Sequence, residues 1–163
     1  MIVSRDDDPN EHPARRAGRL SRTYVAQRRR EDWLNLWAEN GIIRDPLGKS
    51  WMDPEGVGFS TPEARAKWWD DHAPVECYYT VIASFAVANS VANYYSIIVV
   101  GERDGDNFTV GGIGGEKFSI KIEGVWTYSV DEEGKLTSMC GYWEEGTANA
   151  NMTELTGHKY YVE

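Results

Sequence analysis

The sequence predicts an α+β fold in which helices are laid on one face of a curved antiparallel sheet. Apolar residues recur at helical spacing only in the first part of the chain, up to about residue 71. From residue 75 onward, long runs rich in Val, Ile, Tyr and Phe alternate with short polar turns, the mark of strands joined by hairpins. Helices first and strands afterwards, with no internal repeat, imply segregated layers around one core, and 163 residues suit a single domain.

Residues 1–12 are polar and charged and end at His12-Pro13, which reads as a flexible extension. From Ala14, Leu20 and Tyr24 and then Trp33, Leu34, Leu36 and Trp37 fall at spacings of three and four. This predicts a long helix, a charged break over 28–32 and a short second helix closed by Asn40-Gly41. Ile42 to Gly48 reads as a short strand running into a Pro/Gly turn, followed by a loop holding Asp53-Pro54-Glu55-Gly56. The third helix has a clear start, because Thr61 is a good N-cap, Pro62 suits the first helical position and Glu63 suits the dipole; it runs through Trp68 and Trp69 to about Asp71.

Residues 75–88 and 91–102 form two strands joined at Asn89-Ser90, and Arg103 to Asn107 is a polar turn. The glycine run 111–115 precedes a strand over 117–130 rather than a helix, so it lacks the helix N-terminus a phosphate cradle needs. Asp131 to Lys135 is a hairpin turn without EF-hand spacing, leading to a last strand over 136–144. The domain is thus drawn over 13–145. Residues 146–163 are a tail placed to cross a pocket mouth or meet a partner subunit.

Seventeen Lys and Arg against 26 Asp and Glu give a net charge of −9, which argues against nucleic acid and anionic membranes as partners. The basic clustering, which includes Arg15, Arg16, Arg19, Arg22 and Arg28 to Arg30, is confined to the N-terminal segment. Cys77 and Cys140 are far apart and fall in strands, the N-terminus has no secretory leader and no window reaches membrane-span length, so a cytoplasmic setting with reduced thiols is expected. His12 and His158 sit in terminal segments, and His72 follows Asp70-Asp71 where a cation caps a helix end. No His, Cys or carboxylate cluster has metal spacing, and no cofactor motif is present. Seven Trp, nine Tyr and four Phe exceed what packing a small domain demands, so either a hydrophobic pocket or a bulky core is implied.

Three stretches carry a family resemblance. They are Trp33 to Gly48, with its strand ending in Asp-Pro-x-Gly; Thr61-Pro62-Glu63-Ala64 through Trp68-Trp69; and Val130 to Trp143, a closing hairpin ending in Tyr-Trp. Together they resemble the nuclear transport factor 2-like (NTF2-like) superfamily, in its ketosteroid isomerase and SnoaL-like polyketide cyclase branch. The resemblance implies a cone-shaped fold, with three N-terminal helices packed on a curved antiparallel sheet that encloses a hydrophobic pocket. It also implies a cofactor-independent acid–base enzyme on a hydrophobic cyclic or aromatic small molecule, acting as an isomerase, cyclase or lyase/dehydratase, and a homodimer. The alternative is a non-catalytic binding or assembly module of the same fold.

By the same resemblance Asp45 is the general base. Its position at a strand end, between Ile43 and Leu47 and beside aromatics, gives an independent reason, since desolvation raises a carboxylate's pKa and improves it as a base. Tyr24 matches the tyrosine that holds the enolate oxygen, a role that ketosteroid isomerases, a standard case of tuned acid–base pairs, share between a Tyr and a protonated Asp. That Asp's position falls on Trp126, whose indole N–H donates a hydrogen bond but carries no acid. Trp37 and Trp69 fall where supporting tyrosines stand, and Tyr128 and Trp143, with Trp126, face the pocket. Gly141 falls where limonene epoxide hydrolases carry a second catalytic Asp, which argues against that chemistry.

Overall fold

A computed structural model of the chain describes residues 8–74, 76–104, 107–109, 116–144 and 152–154. Helix α1 (Pro13–Ala26) starts on a proline, and buries Ala14, Ala17, Gly18, Ser21 and Val25, a stripe at three- and four-residue spacing. Residues 8–12, read from sequence as part of an extension, are held to the domain: Glu11 accepts from Arg19 at 2.7 Å, and His12 Nε2 lies 3.0 Å from the Ala88 carbonyl. The short α2 (Arg30–Leu34) places Trp33 inward.

Strand β1 (Trp37–Arg44) begins where the sequence pattern predicts the end of a helix. The i, i+4 spacing of Trp33 and Trp37 continues a helical stripe, but Trp37 pairs with Leu136, and Leu136 N–H donates to the Leu36 carbonyl at 2.8 Å. Long-range pairing overrides local propensity there. Asn40-Gly41 is instead part of a bulge, with the register shifting between Trp37 and Ile42. Arg65 of α3 (Pro62–His72), 3 % exposed, fills that bulge; its guanidinium donates to the carbonyls of Ala38, Glu39, Gly41 and Ser60 and lies over the Trp37 ring. Thr61 caps α3 as expected, accepting from Ala64 N–H at 3.1 Å.

The sheet follows as β2 (Glu76–Val87), β3 (Ser90–Asp104), β4 (Asn107–Thr109), β5 (Glu116–Val130), β6 (Leu136–Tyr142) and β7 (Met152–Glu154). Its main path is β1-β6-β5-β3-β2, curved and unclosed, with β4 paired to β3 and β7 to β5. The expectation of a wholly antiparallel sheet is corrected at one edge, because β1 runs parallel to β6 and the sheet is mixed. Part of the C-terminal tail returns as a strand, with Phe118 opposite Glu154. The glycine run 111–115 and most of the tail lie outside the described residues. Asp131 organises its turn by accepting from the backbone N–H groups of Glu133 and Lys135.

Helix α1 lies across β5, β2 and β3. Gly18 permits the approach, since a Cβ there would stand 2.8 Å from the Tyr128 ring. Beside this layer Trp33, fully buried, stacks with Trp68 at 5.4 Å and meets Trp37 at 5.4 Å and Trp69 at 5.2 Å.

Candidate active site

Strand alternation puts Trp126 and Tyr128 of β5 on the helix-covered face, and the ladder sets Trp126 opposite Gly141 of β6 and Asn93 of β3. Arg44 is the last residue of β1 and pairs with Cys140, so the next residue, Asp45, emerges beside Gly141. A side chain at Gly141 would overlap Asp45 Oδ1 and approach Trp126 Nε1 to 2.8 Å. The missing Cβ is what admits the carboxylate.

Two indoles take hold of it. Trp126 Nε1 donates to Asp45 Oδ1 at 3.1 Å, and Trp143 Nε1, just beyond β6, donates to the same oxygen at 2.6 Å. Oδ2 takes neither bond. Asp45 retains some accessible surface, while its carboxylate is closely surrounded by protein. Burial raises its pKa above the ordinary 3.8, and the two indole bonds, which favour the charged form, offset only part of that rise.

Three phenols lie on the same covered face, and two of them, Tyr79 and Tyr128, feel the Asp45 charge. Tyr95, fully buried on β3, has its ring 5.7 Å from Trp126 and 6.3 Å from Tyr79 of β2. Burial holds the hydroxyls of Tyr79, Tyr95 and Tyr128 above the ordinary range, and the Asp45 charge pushes Tyr79 and Tyr128 the same way. They are neutral donors at physiological pH. Tyr95 Oη is buried without a well-formed hydrogen bond, its polar neighbours being Tyr128 and Asn93. Arg22 of α1 covers this group from the helix side, its guanidinium 4.2 Å from the Tyr95 ring centre.

Among the residues singled out from sequence, the structure brings Asp45, Trp126, Trp143 and Tyr128 together. Trp126 is buried but its N–H is already engaged by Asp45. Tyr24, on the other flank of α1 from Arg22, packs partly buried against the core, with its ring under the Arg29 guanidinium at 4.5 Å. Trp37 and Trp69, 7 % and 2 % exposed, belong to the Trp33 cluster. His72 stands at the end of α3, where its ring packs edge-on against Trp51 and Phe59 and burial lowers its pKa below the ordinary 6.5. Sequence reasoning missed Arg22, Tyr79 and Tyr95. The available signals were the alternation Cys77/Tyr79 and Asn93/Tyr95, and the placement of Arg22 one turn after Gly18. Among the described residues no group of three or more His, Cys, Asp or Glu could hold a metal ion.

No family model and no curated protein matches the chain by sequence. Solved structures do. RV0760c from Mycobacterium tuberculosis is 29 % identical with a TM-score of 0.70, covering 89 % of this chain and 98 % of its own. Delta 5-3-ketosteroid isomerase from Mycobacterium sp. is 27 % identical with a TM-score of 0.70, covering 88 % of this chain and 99 % of its own. A computationally designed 17-OHP binder is 26 % identical with a TM-score of 0.69, covering 89 % and 98 %. A SnoaL-like polyketide cyclase from Shewanella putrefaciens shares the fold at 8 % identity.

Proposed function

We propose that this chain, which belongs to the NTF2-like superfamily on its ketosteroid isomerase side, is a cofactor-independent acid–base enzyme with Asp45 as the proton-transferring base. Its substrate is a hydrophobic cyclic or aromatic small molecule. The carrying observation is the carboxylate held through Oδ1 by two indole N–H groups, with Oδ2 left to act and burial raising its proton affinity. A base needs a fixed direction, a pKa near its working range and a neighbour that stabilises the charge it creates.

In this reading Oδ2 removes a proton from carbon next to a carbonyl, and the electron pair moves toward the carbonyl oxygen. A neutral phenol donates to that oxygen; Tyr128, which feels the Asp45 charge, takes the role the resemblance gave to Tyr24. Trp126 and Trp143 orient the base. Return of the proton to another carbon completes an isomerisation; attack of the enolate carbon on a second carbonyl of the same molecule, whose oxygen takes the proton, completes a cyclisation; loss of a leaving group from the β-carbon, protonated as it departs, completes a lyase or dehydratase step. The neighbours' names support this kind of activity, and RV0760c has been solved in complex with estradiol-17beta-hemisuccinate.

The test is exchange of the α-protons of a cyclic enone in heavy water, followed by NMR. Wild type exchanges them, and Asp45→Asn loses exchange while still binding the ketone; equal exchange by both proteins ends the proposal. A second reading, a binding module without turnover, is favoured by the likeness to a designed binder. It requires ligand affinity without exchange in wild type. We further propose that the apolar outer face, which exposes Phe85, Val87, Tyr94, Val125 and Tyr142, pairs two copies as a homodimer. Light scattering at the 18.4 kDa monomer mass would remove that. A cytoplasmic setting is proposed on the two unpaired, buried cysteines; among the described residues no helix is long and apolar enough to cross a membrane.

A further inference from the structure

We infer that Arg22 is an anion-binding residue beside the Asp45 cluster, and that the substrate class is an aryl or cyclic compound carrying a carboxylate. The inference rests on the reading of the Asp45 cluster as a ligand site.

Other arginines of the N-terminal segment are satisfied by the protein. Arg19 pairs with Glu11, Arg29 with Asp32, and Arg30 with Asp70 through two bonds. Arg28 donates to the Ala73 and Pro74 carbonyls at the end of α3. Arg22 differs, since among the described residues no carboxylate pairs with it. Its Nε–H donates to the Gly18 carbonyl one turn back at 3.3 Å, a long bond that engages one of five donors.

Its location is equally specific. The guanidinium is half-buried and lies 4.2 Å from the ring centre of fully buried Tyr95 and 6.0 Å from that of Tyr79. Those rings belong to the sheet face that carries Trp126 and the Asp45 contact, so the cation is turned inward over the aromatic surface. A guanidinium lying on a ring keeps its edge N–H groups available in the plane, where a carboxylate takes two at once. Tyr128 stands under both charges, its hydroxyl pushed up by Asp45 and down by Arg22. A ligand whose carboxylate takes the outward edge of the Arg22 guanidinium turns its ring system toward Asp45.

Calorimetric titration of the full chain with 2-naphthoate and with 2-naphthamide, which share shape and differ in charge, tests this. Wild type should bind the acid at least about tenfold tighter than the amide, and salt near 0.5 M should narrow the gap. Arg22→Gln should abolish the preference while leaving amide affinity within about twofold, and Arg22→Lys should keep part of it. Four results overturn the inference: no acid binding by wild type, equal affinity for acid and amide, a preference that survives Arg22→Gln, or equal weakening of both ligands in that variant, the mark of a purely structural arginine. Asp45→Asn separates the two proposals. A preserved acid preference there, with exchange that does not depend on Asp45, removes the base and keeps the anchor; Asp45-dependent exchange without the preference does the reverse.

Discussion

Four tryptophans meet between the helices and β1, and two more meet at Asp45, yet their indole N–H groups have opposite fates. In the first group Trp33 Nε1 donates to Ser21 Oγ at 3.0 Å, while Trp37 and Trp68 Nε1 are buried with no partner. Dispersion and area burial hold that cluster together, and its polar edges are incidental. At Asp45 the arrangement is organised by the polar edges, with two N–H groups converging on one carboxylate oxygen. Aromatic abundance alone does not distinguish a core from a site. The destination of the N–H does.

That contrast can be broken most severely at Asp45. Asp45→Asn should lower turnover by about 10²- to 10⁴-fold, the range for loss of a general base, with no loss of thermal stability. Next comes Trp33→Ala, which should cost about 3–5 kcal/mol in denaturant unfolding and leave the exchange chemistry of the folded fraction intact. A turnover loss matching that of Asp45→Asn would merge the two regions into one unit. Gly141→Ala should push the carboxylate off its indole donors and reduce turnover by about 10²-fold, because small misplacements of a reacting group are costly.

Smaller effects sharpen the electrostatics. Trp143→Phe removes a bond that lowers the Asp45 pKa, so the acid limb of the rate profile should move to higher pH. The last measurement is stability against pH. A carboxylate whose folded pKa is raised contributes its stability below the ordinary 3.8 and loses it as pH rises through the raised value. Wild type should therefore lose stability relative to Asp45→Asn across that window and run parallel to it above.

Local chemistry was legible in the sequence. The Thr61 cap and the Asp131 turn are decided by adjacent residues, and each is found where the residues put it, while the β2–β3 hairpin forms with its two-residue turn at Ala88-Asn89 rather than at Asn89-Ser90. Trp37 shows the limit, because its spacing from Trp33 is helical and only pairing with Leu136 makes it a strand residue. The parallel β1–β6 edge was hidden for the same reason. In the site, Asp45 and Trp126 were marked by the family resemblance, while Arg22 was one of several similar arginines. Which of them turns inward depends on how α1 sits on the sheet, with Gly18 against Tyr128.

Gly141 also constrains how this sheet can change over time. An acidic residue there would be forced into the space the Asp45 carboxylate occupies, so a second carboxylate has no single-step entry at that position. Shortening Trp126 would have to come first, to give the Asp45 carboxylate room to turn aside. A laboratory lineage seeking a second carboxylate at position 141 should therefore start from a variant already altered at position 126.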